Sequence, residues 1–140
     1  ITSAVLIALS GCGSTTQGTK EFDTANQLAS VNQFDEAIAY LEQAVSKNPK
    51  NQQFVTKLAD LKNRYTAVNL KKVNQLLAGE ITKQGLDEAE SLINDLSKVG
   101  ISNQETESAN ASIAAQRTVL YAELSQQYEM AKIGPEQINY

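Results

Sequence analysis

The sequence has no histidine, no tryptophan and a single cysteine among its 140 residues. Each scarcity closes off chemistry. Without imidazole there is no His-based triad or general base. A zinc site draws on several Cys or His ligands, which one thiol cannot supply. Nor can one thiol form an intrachain disulfide. Glycine (7) and proline (2) are few, and aromatic residues make up only 6%. Breakers this sparse, in a chain rich in Ala, Leu, Gln, Glu and Lys, favour helices. No segment alternates with period two for long enough to read as a strand. Apolar residues at 41% and charged residues at 20% belong to a folding chain rather than a disordered polyelectrolyte. A formal net charge of -4 weighs against nucleic acid as a partner.

Charge is also missing from the start of the chain: the first ionisable side chain other than Cys12 is Lys20. Ile1 to Leu9 is almost wholly apolar. About nine apolar residues are too few to span a bilayer as a helix but match the apolar core of a secretory signal. The stretch Leu9-Ser10-Gly11-Cys12 follows directly. It resembles the bacterial lipobox, in which Leu, a small residue, and Gly or Ala precede the cysteine that receives diacylglycerol. The resemblance implies cleavage before Cys12 and acylation of its thiol and new amine. That gives more than the two anchoring signals stable membrane attachment requires. It implies a partial signal peptide over 1–11, and a lipidated Cys12 with a flexible tether over 12–19, where Gly13-Ser14-Thr15-Thr16-Gln17-Gly18-Thr19 is small and polar. Gly13, standing where an Asp would signal inner-membrane retention in enteric bacteria, implies the periplasmic face of the outer membrane.

A helical body is expected over 20–133, with a tail over 134–140. Phe22, Ala25, Leu28 and Ala29 share one helical stripe, as do Ala37, Ile38, Leu41, Ala44 and Val45. Asn32 sits between them as a candidate cap, and Asn48-Pro49 ends the second. The step Phe54, Leu58, Leu61, Tyr65, Val68, continued by Val73, Leu76, Leu77 and Ile81, predicts one long helix from about 52 to 83. A kink is expected near 69–72, where Asn69, Lys71 and Lys72 interrupt the pattern. Gly85 is expected to stop that helix in the left-handed region. Ala89, Leu92, Ile93 and Leu96 predict a short helix. Ser102 and Glu105 have the spacing of a capping box for a last helix, which carries Ile113, Leu120, Leu124, Tyr128 and Ala131 and ends at Gly134-Pro135. The expected fold is all-α: antiparallel helical hairpins, about five helices, with a long central one. Each helix is apolar enough on one side that a neighbour should cover it.

One internal similarity stands out. Phe34-Asp35-Glu36-Ala37-Ile38 recurs 52 residues later as Leu86-Asp87-Glu88-Ala89-Glu90, with Leu41 and Ala44 answered by Ile93 and Leu96. The stretch Phe34 to Ala44 followed by Asn48-Pro49-Lys50-Asn51 resembles the second helix of a tetratricopeptide repeat. Ala37 and Ala44 lie two turns apart and permit close helix approach, with Leu41 filling the groove between. Departures are Thr24 where a Leu is usual, Leu96 in place of the later Ala, and a period of 52 rather than about 34 residues. Repeats of this kind present surfaces to a peptide or protein. An outer-membrane lipoprotein bearing them looks like a helper of an envelope machine for secretion, pilus or outer-membrane biogenesis. A similar helical region also opens some secretin-type pore subunits, so an N-terminal fragment of such a subunit is the alternative.

No catalytic, cofactor or metal site is expected. Asp35-Glu36 and Asp87-Glu88 read as acids in first helical turns, where they meet the helix dipole. Charge is unevenly spread. Residues 47–72 hold Lys47, Lys50, Lys57, Lys62, Arg64, Lys71 and Lys72 against Asp60 alone, while residues 83–136 hold four basic and nine acidic groups. Such runs are ordinarily solvated helix faces. The sharper reading makes Lys57, Lys62, Arg64, Lys71 and Lys72 a partner-binding surface for an acidic protein, anionic lipid or another copy of the chain.

Overall fold

The computed structural model describes residues 17–133, and these form five helices and no strand: α1 (Thr19–Ser30), α2 (Phe34–Lys47), α3 (Gln52–Ala78), α4 (Lys83–Lys98) and α5 (Gln104–Lys132). The all-α expectation and the long central helix are both met. The chain divides into two compact units between Lys62 and Asn63, so α3 contributes its first part to one unit and its remainder to the other.

The first unit is built on small residues. Ala25 and Ala29 of α1, and Ala37 and Ala44 of α2, are buried, which lets the hairpin close tightly while Ile38 and Leu41 fill the seam. The hairpin turn differs from the expectation for Asn32. Asn32 caps no N-terminus; it adopts the left-handed conformation, φ 62°, just past α1. There Asn32 N–H donates to the Ala29 carbonyl (3.1 Å) and Gln33 N–H to that of Leu28 (3.0 Å), satisfying two orphan carbonyls of α1 in a Schellman arrangement. At the start of the unit Gly18, φ 85°, sits so close to α2 that a Cβ there would lie 2.7 Å from the Ala44 carbonyl oxygen. Phe22 and Phe54 stack, ring centroids 4.9 Å apart, and join α1 to the beginning of α3. Lys47 pairs with Glu21 between α2 and α1.

The second unit packs Val73 of α3, Leu86, Ala89, Ile93 and Leu96 of α4, and Ala109 and Ile113 of α5 into one cluster with Ile101. Several boundaries depart from expectation here. α3 ends at Ala78, not near 83, and runs through 69–72 as one helix. The polar interruption at Asn69 is a buried contact instead: its side-chain amide donates to the Leu92 carbonyl of α4 at 3.1 Å, which satisfies a group that burial would otherwise penalise. Val68, expected on the apolar stripe, is exposed. Gly85 does not end a helix. It lies in the first turn of α4, its N–H donating to the capping hydroxyl of Thr82 at 3.0 Å. The left-handed glycine is Gly100, φ 72°, which closes α4 with the same paired bonds that Asn32 makes, Gly100 N–H to Ser97 and Ile101 N–H to Leu96. The capping box of α5 joins Asn103 and Thr106 rather than Ser102 and Glu105: Thr106 N–H donates to Asn103 Oδ1 (3.0 Å) and Asn103 N–H to Thr106 Oγ1 (2.9 Å). Thr106 is buried, so its methyl also reaches the core, which Glu105 could not do.

Candidate partner-binding surfaces

The two carboxylate pairs have different settings. Asp35 and Glu36 lie in the first turn of α2, as expected. Asp87 and Glu88 do not lie in a first turn, because α4 begins four residues before Asp87 at Lys83 and has no acidic residue in its first turn. Asp87 instead accepts from Lys83 (2.6 Å) and from Arg117 of α5 (2.8 Å), and Arg117 also reaches Glu90 (2.8 Å). Hydrogen bonds from Lys83 and Arg117 hold the Asp87 carboxyl below its ordinary value, and Asp87 in turn raises Lys83 and Arg117. These bonds form an ionic clamp between α4 and α5. Among the described residues no three His, Cys, Asp or Glu side chains converge on a cation position.

The five basic residues singled out above fall in both units. Lys57 and Lys62 belong to the first unit, and Arg64, Lys71 and Lys72 to the second. Lys62 pairs with Glu42 of α2 at 2.9 Å, and Lys72 lies 3.9 Å from Glu88 of α4. Part of the positive run on α3 is therefore answered by acids within its own unit. Lys57 and Lys71 have a different setting, since each lines a groove.

These grooves carry no composition signal of their own. In the first unit a groove of about 640 Å³ runs between α1 and α3, lined by Phe22, Asn26, Gln52, Gln53, Thr56, Lys57 and Asp60. In the second a groove of about 820 Å³ runs between α3 and α5, and its wall includes Asn74, Ala78, Glu105, Ser108, Ala109 and Ser112. Six of the seven lining positions of the first groove recur in the second at the 52-residue offset: Phe22 as Asn74, Asn26 as Ala78, Gln53 as Glu105, Thr56 as Ser108, Lys57 as Ala109, Asp60 as Ser112. The offset also relates the starts of α3 and α5 (Gln52, Gln104), their capping Asn51 and Asn103, and the buried pairs Phe34/Leu86, Ala37/Ala89, Leu41/Ile93, Ala44/Leu96, Phe54/Thr106 and Leu61/Ile113. The offset is legible in the sequence at Asp35-Glu36-Ala37 and Asp87-Glu88-Ala89 and again at Asn51-Gln52 and Asn103-Gln104, but the paired lining positions share no residue. The lining chemistry diverges. Apart from Phe22, the side chains lining the first groove are polar, with Lys57 and Asp60 as its charged members, although most of its surface is apolar. The second has Leu70, Leu77, Ala67, Ala78 and Ala109 along it, with Lys71 and Glu105 as its charged members.

A further surface comes from the last helix. Among the described residues no neighbour covers the end of α5, where Tyr121, Leu124, Tyr128 and Met130 are exposed and Lys132 lies over the Tyr128 ring, 4.4 Å from its centroid. No described helix is long and apolar enough to cross a membrane. Cys12, the lipidation candidate, and Gly134-Pro135 lie outside the described residues. No family model matches the chain, and neither a curated protein nor a solved structure matches it.

Proposed function

We propose that the protein is a lipid-anchored scaffold or adaptor at the periplasmic face of the bacterial outer membrane, where it binds a protein partner of an envelope assembly. The anchoring half rests on Leu9-Ser10-Gly11-Cys12 behind an apolar run. The binding half rests on one observation: a helix-walled groove recurs at the same register in both units while its lining residues change. Helices set by a buried core hold such a groove open without help from its lining. The lining is then free to carry recognition, as in repeat proteins generally. The groove between α3 and α5 is the better partner site. Its leucines and alanines offer apolar area, Ser108 and Ser112 leave room for close approach, and Lys71 and Glu105 orient a polar segment.

Two measurements test this reading. Radiolabelled palmitate should enter the wild-type protein and not Cys12→Ser; equal labelling of both removes the anchor. A photo-crosslinker placed at Ser108 should capture one envelope protein from intact cells, and Ser112→Arg, at an exposed position of the same groove, should lower capture about tenfold. Capture unchanged by Ser112→Arg removes the groove as the site.

The second reading, a helical segment of a larger secretin-type pore subunit, draws support from the uncovered end of α5. Several hundred β-rich residues encoded after Tyr140 would favour it.

A further inference from the structure

The groove between α3 and α5 lies wholly within the second unit. Its positions on α3 run from Ala67 to Ala78 and those on α5 from Glu105 to Ser112, about three and two helical turns. Leu70 and Leu77 are partly buried and pack on the core beneath, and Ala109 is buried. These three make an apolar floor. Ala67 and Ala78 on one wall, and Ser108 and Ser112 on the other, are small and exposed. Such a trough lets a third helix approach to the ordinary packing distance of about 8–10 Å.

The walls also select the conformation of an occupant. Both are helical over these turns, so an extended segment would find no strand edge beside it. Its main-chain groups would meet only the side chains of Asn74, Gln75, Ser108 and Ser112. A helix satisfies its own backbone and needs from the groove only apolar area.

Charge at the rim is unanswered. Nearby in the same unit, Lys72, Lys83 and Lys98 each meet an acid, and Arg117 meets two. Lys71 on the α3 wall and Glu105 on the α5 wall are exposed, and neither makes an ion pair among the described residues. One wall thus offers an ammonium and the other a carboxylate.

Taking this groove as the partner site, as above, we propose that its occupant is an amphipathic α-helix of the partner protein. The helix lies along α3 and α5 with its apolar stripe on Leu70, Leu77 and Ala109. One edge of the stripe carries an acid that meets Lys71, and the other carries a base that meets Glu105. Turning such a helix end for end exchanges its two edges. The two charges therefore set the direction in which the partner runs, while the floor supplies the affinity.

The test uses the purified full chain carrying Cys12→Ser and fluorescein-labelled peptides of about fifteen residues, about four turns, read by anisotropy. Each peptide has leucines three and four apart. The mixed peptide has Glu along one edge of the stripe and Lys along the other, and two controls have Glu or Lys along both. The mixed peptide should bind about fivefold tighter than either control, and Lys71→Glu or Glu105→Lys should each weaken it about fivefold, the scale of one exposed pair. Combining the two reversals should restore its affinity, because the peptide can then lie in the opposite direction. A central proline in the mixed peptide should abolish binding. No binding of the mixed peptide, equal binding of all three, a double variant no tighter than the single ones, or a proline peptide that binds like its parent overturns the proposal. Ser112→Arg separates the two levels. If it weakens every peptide alike while the charge reversals do nothing, the groove stands as the site and the polar helix falls. If the mixed peptide binds and Ser112→Arg changes nothing, the groove itself falls.

Discussion

The two units set helices at a common 52-residue register but secure them by different means. In the first, Phe22 stacks on Phe54 and Pro49 breaks the chain before Asn51 caps α3. In the second, the same positions are Asn74, Thr106 and Ile101. The aromatic pair is gone, Thr106 has become half of a reciprocal cap, and Ile101 is buried. The hairpin of the first unit closes on alanines, whereas Leu76, Leu77 and Ile81 in the second unit are larger and only partly covered. A helix register can therefore persist when many of the contacts that hold it have been replaced, provided a few core pairs such as Ala37/Ala89, Leu41/Ile93 and Leu61/Ile113 keep their burial. It also follows that the surfaces between helices diverge faster than the helices do.

Substitutions at equivalent positions would break this comparison most directly. Phe54→Ala should cost about 3–5 kcal/mol, because it removes a large buried ring and leaves a cavity. Thr106→Ala at the matching position should cost about 1 kcal/mol, the scale of a lost cap. Urea titrations of the two variants check the asymmetry, and equal losses would mean that the cap does more than its hydrogen bonds.

Leu41→Ala and Ile93→Ala probe a pair that has kept both burial and size. Each should cost about 2–5 kcal/mol. Segment-resolved hydrogen exchange should show Leu41→Ala loosening α1 and α2 first, and Ile93→Ala loosening α4 and α5. A uniform loss in both variants would mean that the division at Lys62 and Asn63 has no energetic counterpart.

A smaller effect separates the two left-handed glycines. Gly100→Ala should cost about 1–2 kcal/mol through its backbone alone, since nothing lies within 4 Å of a Cβ there. Gly18→Ala should cost more, because its Cβ also meets the Ala44 carbonyl and the Phe54 ring. Thermal midpoints of the two variants give the ordering.

The smallest effect is electrostatic. Lys47 holds the Glu21 carboxyl low in the first unit, and Lys83 and Arg117 hold Asp87 low in the second. A carboxyl with a lowered folded value stabilises the protein above its unfolded value of about 4 and loses that contribution as pH falls through the folded one. Stability should therefore decline modestly below about pH 4, and high salt should flatten the decline because both pairs are exposed. Arg117→Gln should reduce the acid sensitivity of α4 and α5 and leave that of α1 and α2 unchanged.

Much of this was legible in advance where periodicity and breakers act locally. The stripes of α2 and α4, the stop at Asn48-Pro49 and the 52-residue echo of Phe34-Asp35-Glu36-Ala37 all rest on spacing within one helix. The misreadings share one cause. Asn32 and Ser102 have residue types suited to an N-cap, yet Gln33 and Asn103 hold those positions, and Gly85, suited to a helix stop, lies in the first turn of α4 behind the Thr82 cap. Several residues in a short loop can cap, and the choice goes to the one that the packed helices bring into register. Asn69 was read as an interruption because only the approach of Leu92 supplies its partner. The grooves were not legible because their walls come from helices far apart in sequence, and their identities have drifted.

Composition and spacing alone determined the all-helical fold, the long third helix and the candidate anchor at Cys12, since each follows from local backbone preference or a contiguous motif. Tertiary structure decided which polar residues are buried, which acids clamp α4 to α5, and which apolar face of α5 is left uncovered. Those outcomes depend on what another helix places within a few ångströms, a distance that sequence spacing does not encode.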